Sequence, residues 1–584
     1  MHVAVIDLDK CHFKNCRQEC QYYCPPVRNE IMAVDFMESG YPQIHEELCI
    51  GCGICAHRCP YEAIKIIGVP ARQQGKEVHR YGTNGFVLYG LPSLEMKGVI
   101  GLLGQNGTGK TTILNILNGT LIPNFAQPDA EKARVLDRYK GTYLGEYLSK
   151  VYDDKVRISL KPQYVDSISK HFSGRVRDLL KQYGDEAGKK LTEMGVAGII
   201  DKDVKFLSGG ELQLLAISAA LLKPADLYFF DEPSSYLDIS QRLKIAGVLR
   251  KLAETKKVIV VEHDLAILDF MTDYIYLTYG EARGYGIVSN SYVTRQAINT
   301  YLEGYIKQEN MKFRDYEIKF SKRPPEMDKS LVPFVSWTSL TKSFDNFRLS
   351  VEDGELRHGQ VVGIIGPNST GKSTFVKMMA GEIIPDSGTI TKSVKTSFKP
   401  QSPESDFRIP VLEFLDNNLG DRVSENQFKN DVIRPLNLES IGDTNVSELS
   451  GGDLQKVYIA KTLGKQADVY ILDEPSAYLD ADQRMIVARM IKRFAENNKN
   501  SVMVVDHDIY FIDLISTSLI VFAGEGGKEG RSFGPMSLKD GMNMFLKNLD
   551  VTFRRDENTQ RPRINKPDSR LDNEQRKAGE YYYY

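Results

Sequence analysis

Residues 207–238 read LSGGELQLLAISAALLKPADLYFFDEPSSYLD, and residues 449–480 read LSGGDLQKVYIAKTLGKQADVYILDEPSAYLD. The two stretches have the same length without a gap, and 19 of their 32 positions are identical. A chain that carries this stretch twice folds the same unit twice. In each copy a Ser-Gly-Gly turn (Ser208, Gly209, Gly210; Ser450, Gly451, Gly452) opens a helical run. An apolar run then ends in Asp-Glu (Asp231, Glu232; Asp473, Glu474). Short apolar runs closed by acidic residues predict buried strands, so each unit is α/β.

Upstream of each copy stands a strand, a Gly-rich loop and a helix. Gly104, Asn106, Gly107, Gly109, Lys110, Thr111 and Thr112 form the first loop; Gly366, Asn368, Gly371, Lys372, Ser373 and Thr374 form the second. Both fit G-x4-G-K-[ST]. The glycines let backbone N–H groups approach phosphates, the lysine reaches β/γ oxygens, and the Thr111 or Ser373 hydroxyl suits Mg²⁺. Between loop and repeat, Gln163 and Gln401 are candidate Mg²⁺ or water contacts. Asp231 and Asp473 are placed to hold Mg²⁺, with Glu232 and Glu474 as general bases. His263 and His507 each close a further apolar run, where a γ-phosphate sensor is expected. Tyr81, Phe86 and Phe344 precede the loops and read either as base-stacking rings or as core.

Bulk properties bound the rest. A chain of 584 residues holds three or four domains. Its net charge of −2 gives no global pull toward nucleic acid or membrane. No apolar run reaches the roughly 20 residues that span a bilayer. The first residues, MHVAVIDLDKCHFKNC, lack a signal-peptide core, so a cytoplasmic protein is expected.

All eight cysteines lie within the first 59 residues. With thiols kept reduced in the cytosol, that density points to metal. CIGCGICAHRCP is C-x2-C-x2-C-x3-C-P, a [4Fe–4S] pattern; zinc sites instead bring separated C-x2-C pairs. CHFKNCRQECQYYCPP is a looser version of the same run. The cross-ligation rule of two-cluster ferredoxins assigns Cys49, Cys52, Cys55 and Cys24 to one cluster. It leaves Cys11, Cys16, Cys20 and Cys59 for the other. Short β-like runs, HVAVID and EAIKII, flank them as in a ferredoxin-like fold. Electron transfer and a rigid, metal-stapled domain are both open readings.

The halves differ in spacing. From P-loop lysine to glutamine there are 53 residues in the first (163 − 110) and 29 in the second (401 − 372). The excess falls at about residues 123–157, where Leu136, Tyr139, Tyr143 and Tyr147 have helical spacing among Arg134, Arg138 and Lys140. This is either an amphipathic hairpin packed on its own domain or a docking insertion, with RNA as a candidate partner. Residues 306–335, containing Pro324-Pro325, read as a hinge. By composition, residues 549–584 read as a disordered tail.

P-loop, glutamine, LSGG, apolar-Asp-Glu and strand-His, in that order, resemble the ATPase domain of the ATP-binding cassette (ABC) superfamily. No membrane helices mark an exporter here, and no sustained heptads mark a chromosome-maintenance ATPase. The cysteine runs fused to twin cassettes, with the insertion and the NKPDSRLDNEQ…GEYYYY tail, resemble the E-type ABC family, historically called RNase L inhibitor. The resemblance covers essentially the whole chain and suggests an archaeal member.

It implies two tandem ABC-type P-loop ATPase domains with an N-terminal ferredoxin-like α+β iron–sulfur domain. The expected spans are 1–70 for the iron–sulfur domain, 71–305 and 336–548 for the cassettes, 306–335 for the hinge and 549–584 for a docked tail. It also implies a monomer with head-to-tail pairing, in which each ATP meets one half's P-loop and the other half's Ser-Gly-Gly turn. Asp238 and Asp480 would then couple the sites. The expected cofactors are two [4Fe–4S] clusters, ATP and Mg²⁺. The expected partners are the ribosome, through small-subunit rRNA contacted by the insertion and through small-subunit proteins, a release factor or Pelota-type factor, and initiation factors. The expected activity is ATP-driven splitting of post-termination or stalled ribosomes, followed by a stay on the small subunit.

Overall fold

The computed structural model describes residues 2–70, 73, 75–322, 332–391 and 394–582. The chain forms two compact units. One comprises Met1–Pro233, Leu249–Glu262 and Thr272–Asp315; the other comprises Ser234–Val248, His263–Met271 and Tyr316–Tyr584. Pro324 and Pro325 of the expected hinge, and the last two tyrosines, lie outside the described residues.

The first unit begins with the cysteine region. The two β-like runs are the strands His2–Ile6 and Ile64–Gly68, paired antiparallel with Ile6 opposite Ile64. A second small pair, Val34–Phe36 with Pro42–Ile44, and three short helices complete it. The following sheet has eight strands in the order Glu77–Arg80, Val87–Tyr89, Tyr285–Val293, Tyr274–Glu281, Val99–Gly104, Lys257–Val261, Leu227–Asp231 and Ile158–Lys161. Its last five strands run parallel. Such strands are buried on both faces and read as continuous apolar runs, as VIGLLG, LYFFD and KVIVV do. Parallel order also brings their carboxyl ends to one edge, where open α/β sheets bind ligands. The P-loop after Gly104, the Asp-Glu at 231–232 and the Lys-Pro-Gln at 161–163 all emerge there.

The second unit repeats the plan. Thr396–Lys399, Val469–Asp473, Ser501–Val505, Val361–Ile365 and Ser518–Ala523 run parallel within a ten-stranded sheet. Its core is built on Trp337, Phe375, Ile471, Met503 and Phe522.

Two expectations change. Residues 123–157 do form helices, Lys132–Arg138 and Tyr143–Tyr152. Their rings turn inward: Tyr147 is in the core and donates its hydroxyl to Leu117 O at 2.6 Å, with Leu136, Tyr139 and Tyr143 packed against the same core. Base stacking is therefore not open to these tyrosines, whereas Lys132, Arg138, Lys140 and Lys150 are exposed. The compositional reading of the tail as disordered also fails. Phe553–Arg555 pairs with Pro562–Ile564, a helix follows at Arg570–Ala578, and Arg561 is fully buried.

Candidate functional site

Each P-loop sits between the end of a central strand and the helix Lys110–Leu117 or Lys372–Met379. The helix-capping Gly109 and Gly371 have φ of 92° and 95°, a region that suits glycine. A Cβ on Gly109 would lie 2.8 Å from the Phe86 ring, and one on Gly371 would lie 3.0 Å from Phe347. Phe86 is thus packed beneath the first loop. Tyr81 keeps its ring 43% exposed beside the loop helix, its hydroxyl 3.3 Å from Thr112 Oγ1. Phe344, 48% exposed and opposite Phe347 in a strand pair, occupies the matching place in the second unit. Lys110 Nζ donates to Gly104 O and Gln105 O, each at 2.8 Å; Lys372 Nζ donates to Gly366 O at 2.9 Å and Pro367 O at 2.7 Å. Burial lowers the Lys372 ammonium to about 8, against the pull of Glu474, Asp238 and Asp473.

The acidic pairs lie beside these lysines. Burial and then the neighbouring Glu232 charge push Asp231 up to about 7, while Lys161 and Lys110 pull it down. Asp473 and Glu474 are raised for the same first reason, burial. A carboxylate in such a place is ready for a cation. The Ser373 hydroxyl bonds Asp473, and the buried Asp473 Oδ1 has no hydrogen-bond partner among the described residues. A hydroxyl and a free carboxylate oxygen side by side fit Mg²⁺, which takes oxygen ligands. Gln163 Nε2 donates to Glu232 Oε1 at 2.6 Å, and Gln401 Nε2 to Glu474 Oε1 at 2.8 Å. The two glutamines therefore hold the Glu232 and Glu474 carboxylates themselves.

His507 is buried, its Nε2 3.8 Å from Glu474 Oε1, and burial followed by repulsion from Lys372 and Arg242 keeps it neutral. His263 is buried in the second unit. Each histidine is followed by an aspartate that sequence reading passed over. Asp264 takes Arg242 Nη1 at 2.6 Å, and Asp508 takes Arg484 Nη1 at 2.9 Å. Asp238, also in the second unit, accepts Asn368 N from the second P-loop at 3.0 Å. The Ser-Gly-Gly turns begin the 14-residue helices Gly209–Leu222 and Gly451–Gly464. Ser208 and Ser450 cap them, accepting Glu211 N at 3.3 Å and Asp453 N at 3.2 Å. The helix N-termini leave backbone N–H groups for an anion.

In the cysteine region, Cys24, Cys49, Cys52 and Cys55 line one cavity with Val34 and Ile44. Cys11, Cys16, Cys20 and Cys59 form a second set: beyond burial, the charges of Cys59 and Cys16 raise Cys11, and those of Cys16 and Cys59 raise Cys20. Cys20 also senses Cys55, so the two sets adjoin. Burial pushes Cys20 up to about 12 and Cys55 to about 11. Thiols so placed are held protonated unless a metal displaces the proton. Among the described residues, no three His, Cys, Asp or Glu side chains converge as a single ion would require. Four cysteines around one cavity supply the donor set of a [4Fe–4S] cluster.

One connection was invisible in the sequence. Asn84, in the turn between Tyr81 and Phe86, is buried against the cysteine domain. Its Oδ1 accepts Ile44 N at 2.8 Å, its Nδ2 donates to Ile44 O at 2.9 Å, and its carbonyl accepts Ile6 N at 2.8 Å. Arg80 Nη1 donates to Glu46 Oε2 at 3.0 Å, and Glu46 also accepts Ala4 N at 2.7 Å. The strand Glu77–Arg80, which leads into Tyr81, is thereby fastened to the cysteine domain. Asn84→Ala strands Ile44's backbone groups and is expected to loosen this attachment by about 1–3 kcal/mol. Hydrogen exchange at Ile44 should rise severalfold; unchanged protection would count against the fastening.

The chain matches the ABC transporter family over residues 92–235 and 349–477. It matches the 4Fe-4S binding domain over 42–65 and the family described as "Possible Fer4-like domain in RNase L inhibitor, RLI" over 1–30. An uncharacterized ABC transporter ATP-binding protein of Methanocaldococcus jannaschii is 46% identical over all of this chain and 98% of its own. The ABCE1 chain in a model of ribosome-bound archaeal Pelota and ABCE1 superposes with a TM-score of 0.95 at 45% identity, covering 100% of this chain and 99% of that one. The chain belongs to the ABCE1 family of ABC proteins. A crystal structure of archaeal ribosome recycling factor aABCE1 with the ribosomal stalk protein aP1 matches with a TM-score of 0.82 at 46% identity, over 88% of this chain and 99% of that one. As an ABCE1 protein, the chain is an ATPase with two ATP-binding cassettes and an iron–sulfur domain. Among the described residues no helix is long and apolar enough to cross a membrane.

Proposed function

We propose that this ABCE1 protein is a cytoplasmic ribosome-recycling ATPase. With a release factor or Pelota-type factor it uses ATP to separate post-termination or stalled ribosomes into subunits, then stays on the small one. The observation that carries this reading is full-length likeness to ribosome-bound ABCE1, supported by the P-loop, glutamine, Ser-Gly-Gly, Asp-Glu and histidine motifs in both halves of the sequence and by the cysteine domain fastened to the first cassette.

In each site the P-loop lysine and N–H groups hold the phosphates, and Tyr81 or Phe344 faces the base, Phe86 supporting the loop. Thr111, Gln163 and Asp231, and Ser373, Gln401 and Asp473, would hold Mg²⁺, which neutralises charge on the β and γ oxygens. Glu232 and Glu474 take the proton of the attacking water, and His263 and His507 sense the γ-phosphate. The Ser208-Gly209-Gly210 and Ser450-Gly451-Gly452 turns add backbone N–H groups where phosphate charge builds. Loss of the γ-phosphate removes contacts that favour the closed form, so hydrolysis resets the device. The insertion meets rRNA through its exposed lysines and arginine, not through its rings. Basic side chains suit phosphate contact.

Two [4Fe–4S] clusters are held crosswise, by Cys24 with Cys49, Cys52 and Cys55, and by Cys59 with Cys11, Cys16 and Cys20. Cys24→Ser and Cys59→Ser should each lower bound iron from about eight atoms to about four. Iron content that stays whole in both variants would refute the cross-ligation.

Sucrose-gradient profiles test the function. Purified ribosomes mixed with factor, this protein and ATP should shift into subunits. Intact ribosomes that persist with the protein bound would favour a non-splitting ribosome-binding role.

A further inference from the structure

Lys161 and Lys399 are both fully buried, and neither belongs to the machinery described so far. Each stands two residues before a site glutamine, in the tripeptides Lys161-Pro162-Gln163 and Lys399-Pro400-Gln401. Full burial of an ammonium is costly and rarely found unless the group is well satisfied. Here the partners are backbone carbonyls, among them that of the Asp-Glu aspartate in both units. Lys161 Nζ donates to Asp231 O at 2.8 Å and to Glu232 O at 3.1 Å. Lys399 Nζ donates to Asp473 O at 2.9 Å and to its own neighbour Pro400 O at 3.1 Å. The grip on the aspartate carbonyl therefore recurs at the carboxyl ends of Ile158–Lys161 and Thr396–Lys399, while the second acceptor differs.

The held peptide needs holding. Glu232 and Glu474 both have φ of 48°, the left-handed region that costs a non-glycine residue roughly 1–3 kcal/mol and persists only where the surroundings enforce it. Each glutamate N–H is tied to the neighbouring strand, to Val261 O or Val505 O at 2.8 Å. Gln163 and Gln401 then hold the carboxylate from the other end of the same tripeptide. The intervening proline fixes φ between the two grips.

We propose that Lys-Pro-Gln is a two-ended clamp in each cassette. The buried lysine fixes the backbone of the Asp-Glu pair while the glutamine aims the glutamate side chain. Lys161 and Lys399 are accordingly positioning residues for hydrolysis rather than for nucleotide binding. The ammonium also lies close to Asp231, Glu232 and Glu262 in one site, and to Asp473, Glu474 and Asp506 in the other. It thus offsets part of the acidic charge gathered behind the phosphates. This inference rests on the reading of Glu232 and Glu474 as the water-activating groups.

The test uses full-length, cluster-loaded protein. In Lys161→Met/Lys399→Met, a chain of similar length with no donor, kcat for ATP should fall about tenfold or more, since small misplacements of a reacting group are costly. Equilibrium affinity for ATP·Mg²⁺ should stay within about twofold, the signature of an interaction that matters in the transition state. Lys161→Gln/Lys399→Gln retains an N–H donor and should regain part of the lost kcat. An unchanged kcat, or a parallel fall of kcat, affinity and thermal stability with no recovery in the glutamine variant, overturns the clamp. Glu232→Gln/Glu474→Gln is assayed beside it. Loss of turnover there with full turnover in the lysine variants removes the clamp alone. Full turnover in both removes the glutamate assignment as well.

Discussion

Replacing both Glu232 and Glu474 by Gln is expected to lower steady-state ATP hydrolysis by about 10²–10⁴-fold, the range a positioned general base supplies. Nucleotide binding should survive, because the P-loop lysines and N–H groups are untouched. Glutamine is nearly isosteric and can still meet Gln163 or Gln401, which lie 2.6 and 2.8 Å from the native carboxylates. What it loses is the capacity to take a proton. The variant should therefore accumulate with ATP bound, readable as retained nucleotide after rapid desalting. Each single variant should silence one site and leave the other turning over. Hydrolysis at the native rate in the double variant would show that the water is activated elsewhere.

The second large effect concerns the tail. Asp269 is buried in the second unit between Arg561 Nη1 at 3.1 Å and Arg563 Nε at 2.7 Å, and Arg561 also donates to the Tyr510 hydroxyl at 2.8 Å. Burial alone would raise this carboxyl; Arg561 and Arg563 overcome it and hold the group below the usual carboxylate range. Asp269→Ala leaves a fully buried guanidinium without its counter-charge, so a loss of about 3–5 kcal/mol is expected. The pair Asp269→Leu/Arg561→Met should be milder, since it removes both charges. A depressed carboxylate gives stability that is whole above the unfolded pKa and lost as pH falls through the folded one. The native tail should thus stay docked at neutral pH and come loose only as pH falls below the usual carboxylate range. Limited proteolysis between residues 549 and 582, with intact mass of the product, reads both effects. A tail equally resistant in Asp269→Ala and in the native chain would contradict the account.

Much of this was legible because the decisive signals are local. Strand, Gly-rich loop and lysine form one continuous run, and eight cysteines at fixed spacing constrain their own pairing. What was hidden depends on long-range contact. Arg561 and Arg563 look like the polar content of a disordered tail, and their chief counter-charge, Asp269, lies nearly 300 residues away. Asn84 is an ordinary turn residue until Ile6 and Ile44 come up against it. The lysines were misleading in a sharper way. In Ile158–Lys161 alternation would turn leucine inward and lysine outward, yet Ser159 and Lys161 are fully buried while Leu160 is 38% exposed. Polar partners behind the strand, Ala220 O for Ser159 and the Asp-Glu carbonyls for Lys161, invert the pattern. For the tyrosines of the insertion, spacing left two readings open, and the structure packs them on the core of their own domain.

The most direct measurement is stopped-flow light scattering of ribosomes mixed with the full-length protein, a Pelota-type or release factor and ATP, with phosphate release followed in the same mixture. Scattering should fall as subunits part, only when ATP and the factor are both present. Phosphate released at the full rate while scattering stays level would contradict ribosome splitting as the work these two ATP sites perform.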